Sequence, residues 1–203
     1  TSPTNIGLYL VSVLAARDLG YIGALECIER LEKTISTMEK LDRWNGHFYN
    51  WYNTVTLAPL KPMYISSVDS GNLAVYLITL KQGILDLLER PLVSTESVLG
   101  LKDMLESEDL EIPEELNVLI DKSENISLLR WKALLEQLKG RSREIDSFIA
   151  TFEKEINELT PWINILSGTN SQNAEIARII IDNIDTSVPV SSLEDHYEQV
   201  MDT

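Results

Sequence analysis

Several kinds of residue and pattern are scarce in this chain, and each scarcity closes off a class of function. A single cysteine, Cys27, rules out both a disulfide framework and a paired-thiolate metal site, and it fits a reducing compartment. Positive charge is thin: 17 Lys and Arg face 32 Asp and Glu, a formal net charge of −15. A surface of that sign repels phosphate backbones and anionic headgroups, and no basic run interleaves with aromatics, so nucleic acid is excluded as a partner. No apolar run approaches the roughly 20 residues of a membrane-spanning helix, so direct membrane insertion by this segment is not expected. Fixed-period repeats, low-complexity tracts, glycine-rich phosphate loops and nucleophile motifs are all missing, and no metal or cofactor is expected. The opening "TSPTN" has no charged region followed by an apolar one, as a signal peptide would, and no starting Met, from which we expect a piece of a longer chain.

What is present is ordinary globular material, 44% hydrophobic over 203 residues. The acidity is one-sided. Residues 1 to 93 carry eight Lys/Arg against nine Asp/Glu, and residues 94 to 203 carry nine against twenty-three. The expected class is all-α, with residues 1–90 and 91–203 as its two parts. A first helix starts in "SPTN", capped by Ser2, Thr4 or Asn5, is apolar on every face from Ile6 to Leu14 and closes at Gly20. Such a helix is expected to be buried all round. The second, "GALECIERLEKTISTMEKLDR", is amphipathic, with Leu25, Ile28, Leu31, Ile35, Met38 and Leu41 at spacings of three and four. A third, with Asp69 or Ser70 as its expected N-cap, is again apolar on most faces.

Between the second and third helices lies "RWNGHFYNWYNTVTLAPLKPMYISSVDSGN", which holds six of the fourteen aromatic residues. An irregular connection of this length exceeds the roughly 12 to 15 residues usual in a compact domain and points to function. A small hairpin is expected within 46–68, with "FYNWY" and "MYISS" as strands. Antiparallel packing of successive helices brings "SPTN", this loop and "VDSGN" to one end of the bundle. Rings suit the apolar C–H faces of a pyranose, and His47, Asn50, Asn53, Asp69 and Asn72 suit its hydroxyls. Against this stands the plainer account that the rings plug the bundle end and that Asp69 only caps a helix.

These same strings carry a family resemblance. "TSPTNIGLYLVSVLAARDLGYIG" and "LEKTISTMEKLDRWNGHFYNWYNTVTLAPLKPMYISSVDSGNLA" resemble the region after the membrane-embedded glycosyltransferase part of cyclic β-1,2-glucan synthases. The resemblance covers about residues 1 to 85. It implies that the segment opens the middle domain, a glucoamylase-like (α/α)₆ barrel that cyclises linear β-1,2-glucan by transglycosylation, in a parent protein of the bacterial inner membrane with this segment on the cytoplasmic face. Carried over by position, the substrate-binding candidates are Thr4, Asn5, His47, Tyr49, Asn50, Trp51, Tyr52, Tyr64, Asp69 and Asn72, and the implied partners are a β-1,2-glucan chain and other domains of the parent. One departure is Asn53, where relatives commonly show Asp, so Asn53 is given no catalytic role.

Glycoside chemistry needs two carboxylates, about 5 to 5.5 Å apart for retention and farther apart for inversion. The loop end offers only Asp69, so no catalytic residue is assigned and the isolated piece is expected to be inactive. The second half reads as acidic helices, among them "STESVLGLKDMLESE", "PEELNVLIDKSE", "NISLLRWKALLEQLKG", "RSREIDSFIATFEKEINELT", "PWINILSG", "SQNAEIARIIIDNI" and "SLEDHYEQVM". They are expected to form an insertion or satellite bundle, with Ile145, Phe148, Phe152, Ile156 and Leu159 as core and the charged faces, like His196, in solvent. Two alternatives stay open: a helical interaction module with an acidic docking face, and part of a free-standing glucan hydrolase. Self-association of the piece across an apolar flank also stays open.

Overall fold

The computed structural model describes residues 1–121, 126–164 and 188–201. The chain is helical apart from one two-residue-by-two-residue hairpin among the described residues, and it divides into two compact units. The expected helix in 171–184 and the second half of the one expected in 161–168 lie outside the described residues, as does the side chain of His196.

The first unit, Thr1–Ala16 with Cys27–Asp86, takes most of α1 (Pro3–Asp18), α2 (Ala24–Met38) and α3 (Ser67–Leu88). Helix α1 begins where Ser2 Oγ accepts the Asn5 N–H and Pro3 occupies the first turn, a position that needs no amide donor. In α3 the cap is Ser66, whose hydroxyl accepts the Asp69 N–H at 3.1 Å, in place of the expected Asp69 or Ser70. The Asp69 side chain is thereby released for long-range contacts.

Two glycines set how closely α1 and α3 approach. A Cβ on Gly7 would stand 2.6 Å from Tyr76 Cδ2, and one on Gly83 would stand 2.5 Å from Leu14 Cδ1. Because Gly7 meets Tyr76 and Leu14 meets Gly83, residue numbers rise together along the contact and the two helices run parallel. Helix α2 returns between them in sequence, with Cys27 Sγ against the Val13 carbonyl. The expectation that α1 and α3 are buried all round is not met. Val75 is 61% and Ile78 70% exposed, and Val68, Leu85, Leu8 and Tyr9 are exposed as well. The physical reason is that each of these helices packs on one side only within the unit, so its outward stripe has no neighbour there.

The hairpin also differs from expectation. Strands β1 (Arg43–Trp44) and β2 (His47–Phe48) pair antiparallel around Asn45 and Gly46, both at positive φ (47° and 84°). An Asn-Gly pair in that conformation matches the twist of a two-residue hairpin, and this local preference wins over the strands expected at "FYNWY" and "MYISS". Those segments are joined by the bond from the Asn50 N–H to the Tyr64 carbonyl, and Tyr52 makes an isolated bridge to Pro59 in the stretch between them. Asn53 Oδ1 accepts the N–H groups of Val55 and Thr56, a turn that a carboxylate would build equally well.

The second unit, Arg17–Glu26 with Leu87–Thr203, contains α4 (Thr95–Ser107), α5 (Glu114–Asp121), α6 (Leu128–Leu138), α7 (Arg143–Leu159) and α8 (Leu193–Met201). Ser94, Ser127 and Ser142 cap α4, α6 and α7. Ile145, Phe148, Phe152 and Ile156 are buried as expected, with the Trp131 ring edge-on to Phe152 at 5.4 Å. One acidic residue departs from the expected solvated face. Glu155 on α7 is 1% exposed, and its Oε2 accepts the Leu25 N–H at the start of α2. Burial raises its pKa to about 7, against the smaller opposing pull of that backbone bond and of the buried Arg17. Arg17 in turn donates from Nη2 to the carbonyls of Pro91 and Leu92.

Candidate functional site

The parallel pair α1 and α3 brings Thr4 in the first turn of one helix beside Asp69 and Asn72 in the first turns of the other. Thr4 Oγ1 donates to Asp69 Oδ1 at 2.6 Å and accepts from Asn72 Nδ2 at 3.1 Å. The aromatic loop closes on this pair through Asn50, whose side chain is almost wholly buried. Its carboxamide lies 2.5 Å from the Tyr64 hydroxyl in either orientation of the amide. Only one orientation matches donors to acceptors throughout: nitrogen toward Asp69 Oδ2 at 2.7 Å, oxygen toward Trp51 Nε1 at 2.6 Å and the Tyr64 hydroxyl.

The result is a single chain of bonds, Asn72 to Thr4 to Asp69 to Asn50 to Trp51 and Tyr64. Hydroxyl donation from Thr4 first, then Ser66 and Ser2, holds the Asp69 carboxyl below the usual carboxylate range, so it is ionised at neutral pH. Asp69 therefore acts as an acceptor hub rather than a proton donor. Trp51 and Tyr64 are anchored by their polar edges and remain 46% and 49% exposed. An aromatic ring tied at its heteroatom and open on its face is a stacking platform.

Of the sequence-derived candidates, Thr4, Asn50, Trp51, Tyr64, Asp69 and Asn72 come together in this network. Tyr52 lies beside it but is buried, its hydroxyl donating to the Asp42 carbonyl at 2.6 Å and accepting from the Tyr49 N–H at 2.7 Å. Burial raises its pKa. Tyr52 also exchanges backbone bonds with Thr1. Tyr49 packs edge-on against Tyr52, His47 is exposed on β2, and Asn5 is exposed on α1. Ser66 and Ser2 also bond to Asp69 and are absent from the sequence-derived site candidates, Ser2 being named there only as a possible cap; the available signal was their place as the caps of α3 and α1. Among the described residues, no three His, Cys, Asp or Glu side chains converge on a metal position, and no helix is long and apolar enough to cross a membrane.

In an alignment of 173 positions that covers 79% of this chain, the chain is 38% identical to the cyclic β-(1,2)-glucan synthase NdvB of Rhizobium meliloti (strain 1021). The chain resembles one segment of a cyclic β-1,2-glucan synthase. The resemblance carried by the "SPTN", aromatic and "VDSGN" strings is thus borne out, and it reaches past residue 85 into the acidic half, where no motif had signalled it. The chain spans 6% of the synthase's length. No protein-family model matches the chain.

Proposed function

We propose that this chain is a segment of a cyclic β-1,2-glucan synthase and supplies part of the glucan-binding cleft of its cyclising domain. The observation that carries this is the Asn50 hub, which fixes the indole of Trp51 and the phenol of Tyr64 by their polar edges while both residues stay about half exposed. Sugar C–H faces stack on such rings, and hydroxyls find donors and acceptors in Thr4, Asn72 and the neighbouring backbone. The exposed apolar stripes of α1 and α3 support their reading as inner helices of a larger helical barrel, with α2 as an outer one.

The segment's role in this reading is to position. Asp69 is the only carboxylate in the network, it is ionised, and its oxygens are taken by protein donors. The catalytic pair is assigned to other parts of the synthase, where a carboxylate would hold the glucan covalently until the chain's own distal hydroxyl displaces it. The parent is assigned to the bacterial inner membrane, with this segment on the cytoplasmic side.

Titration of β-1,2-gluco-oligosaccharides into the synthase's cyclising domain, read by tryptophan fluorescence, tests the assignment. A saturable change that disappears in Trp51→Ala is expected. The absence of any change in the folded domain, or a change of the same size in Trp51→Ala, overturns it.

A further inference from the structure

A concave surface lies in the first unit, on a different face of α1 from the polar network. It is a groove of about 550 Å³ between α1, α2 and the turn at 52–57. Its α1 wall is Ile6 and Tyr9, which at about 100° per residue stand roughly 160° and 140° around the helix from Thr4. Groove and network therefore use opposite faces of α1.

The lining has a definite chemistry. Ile6, Met38 and Leu41 make an apolar floor, and the half-exposed ring of Tyr9 stands at its edge. Along α2, Arg30, Lys33, Thr34 and Thr37 recur at spacings of three and four and form one rim. No Asp or Glu lines the groove, in a chain that has 32 of them. From Arg30 to Met38 the α2 wall runs about 12 Å at 1.5 Å per residue, somewhat over two helical turns. A trough walled by a helix ridge, with an apolar floor and a basic rim, is the complement of an amphipathic helix with carboxylates along one border.

We propose that this groove docks such a helix, contributed by another part of the longer synthase chain. The inference rests on the proposed function for the source of the helix. Its chemistry comes from the groove: apolar residues every three or four positions would seat on Ile6, Met38 and Leu41, and Asp or Glu at the border would pair with Lys33. The charge pattern selects the partner and its direction more than it sets the affinity.

Two measurements on the full-length synthase test this. In the first, the acylation rate of Lys33 is compared by mass spectrometry with that of Lys61 and Lys81, which are exposed in the same unit. In the second, a carbodiimide forms a direct amide between Lys33 and any carboxylate it touches. Acylation of Lys33 at least tenfold slower than that of Lys61, with a cross-link from Lys33 to an Asp or Glu outside these 203 residues on the same polypeptide, is the expected result. Equal acylation rates overturn the proposal, as does a cross-link between two copies. Protection of Lys33 that appears only after gluco-oligosaccharide is added overturns it in favour of a sugar site. Tryptophan fluorescence in the same samples separates the two readings: a retained cross-link without a saccharide response removes the glucan cleft and keeps the docking groove.

Discussion

The Asn50 carboxamide nitrogen sits 2.7 Å from Asp69 Oδ2, and this one bond joins the aromatic loop to the helix that follows it. Two residues of no chemical rarity, an Asn after a Tyr and an Asp after a Val, thereby fix the edges of two rings. Removing the acceptor should release them. In Asp69→Ala the loop loses its anchor to α3, and we expect a loss of roughly 1.5 to 3 kcal/mol, the range for hydrogen bonds to a charged group. Urea unfolding measures the loss, and a red shift of tryptophan emission that is absent in a Trp51→Phe background assigns it to the loop.

Acid should act on the same bond. Hydrogen bonds from Thr4, Ser66 and Ser2 lower the Asp69 pKa in the folded state, so the folded protein binds its proton less readily than the unfolded chain does. The contribution of Asp69 is complete above the unfolded value of about 3.9 and is lost as pH falls through the lower folded value. Asp69→Asn should flatten the acid limb of the stability curve below about pH 4 relative to the unmutated chain.

Glu155 should show the opposite sign. Its folded pKa of about 7 lies above the ordinary 4.5, so between those values the folded state holds a proton that the unfolded state has released. Its contribution is complete below the unfolded value and is lost as pH rises through about 7. Glu155→Gln, which can still offer an oxygen to the Leu25 N–H, should be more stable than the unmutated chain at pH 8, by up to about 3 kcal/mol at 1.36 kcal/mol per unit. Thermal melts at pH 5 and pH 8 decide it: an equal effect at both pH values is incompatible with a titrating Glu155.

The two glycines at the α1–α3 contact should differ in cost. A methyl on Gly7 meets Tyr76 Cδ2 at 2.6 Å and also its Cβ at 2.9 Å, an atom fixed to the α3 backbone. A methyl on Gly83 meets chiefly the terminal Cδ1 of Leu14, which can rotate away. Gly7→Ala is therefore expected to destabilise by about 1 to 3 kcal/mol through overpacking, less the roughly 1 kcal/mol of helix propensity gained. Gly83→Ala should lie within about 1 kcal/mol of neutral. Equal losses in parallel unfolding curves would contradict the different clearances.

Trp51→Ala should leave the fold nearly intact, because the ring is half-exposed, while weakening gluco-oligosaccharide binding by roughly tenfold or more, the equivalent of about 1.4 kcal/mol of stacking. Calorimetric titration measures the affinity, and the melting curve serves as the control for folding.

Much of this architecture was legible in the sequence, and the failures have physical causes. The first three helices follow from periodicity and from Ser and Gly at the ends, although α3 is capped by Ser66 and not by Asp69 or Ser70. The convergence of "SPTN", the aromatic loop and "VDSGN" followed from antiparallel packing of successive helices, and Thr4 beside Asp69 bears it out. Composition could not say which faces of α1 and α3 stay uncovered, since Val75 and Ile78 look the same in sequence whether or not a neighbour arrives. The hairpin forms away from "FYNWY" because the turn preference of Asn45-Gly46 outweighs the strand character of that string. Glu155 escaped notice because an acid on an amphipathic helix ordinarily meets water, and only the fold puts the start of α2 against it.

The parallel course of α1 and α3 has an electrostatic consequence. Both helix macrodipoles point the same way, each placing about half a unit of positive charge at the end where Thr4 and Asp69 meet. That field favours ionised Asp69 and the lone pairs of hydroxyl oxygens close by. It disfavours the positive charge that gathers on a sugar ring as a glycosidic bond breaks. The end of the unit proposed to hold glucan is, by its own field, suited to an intact sugar and unsuited to a breaking one.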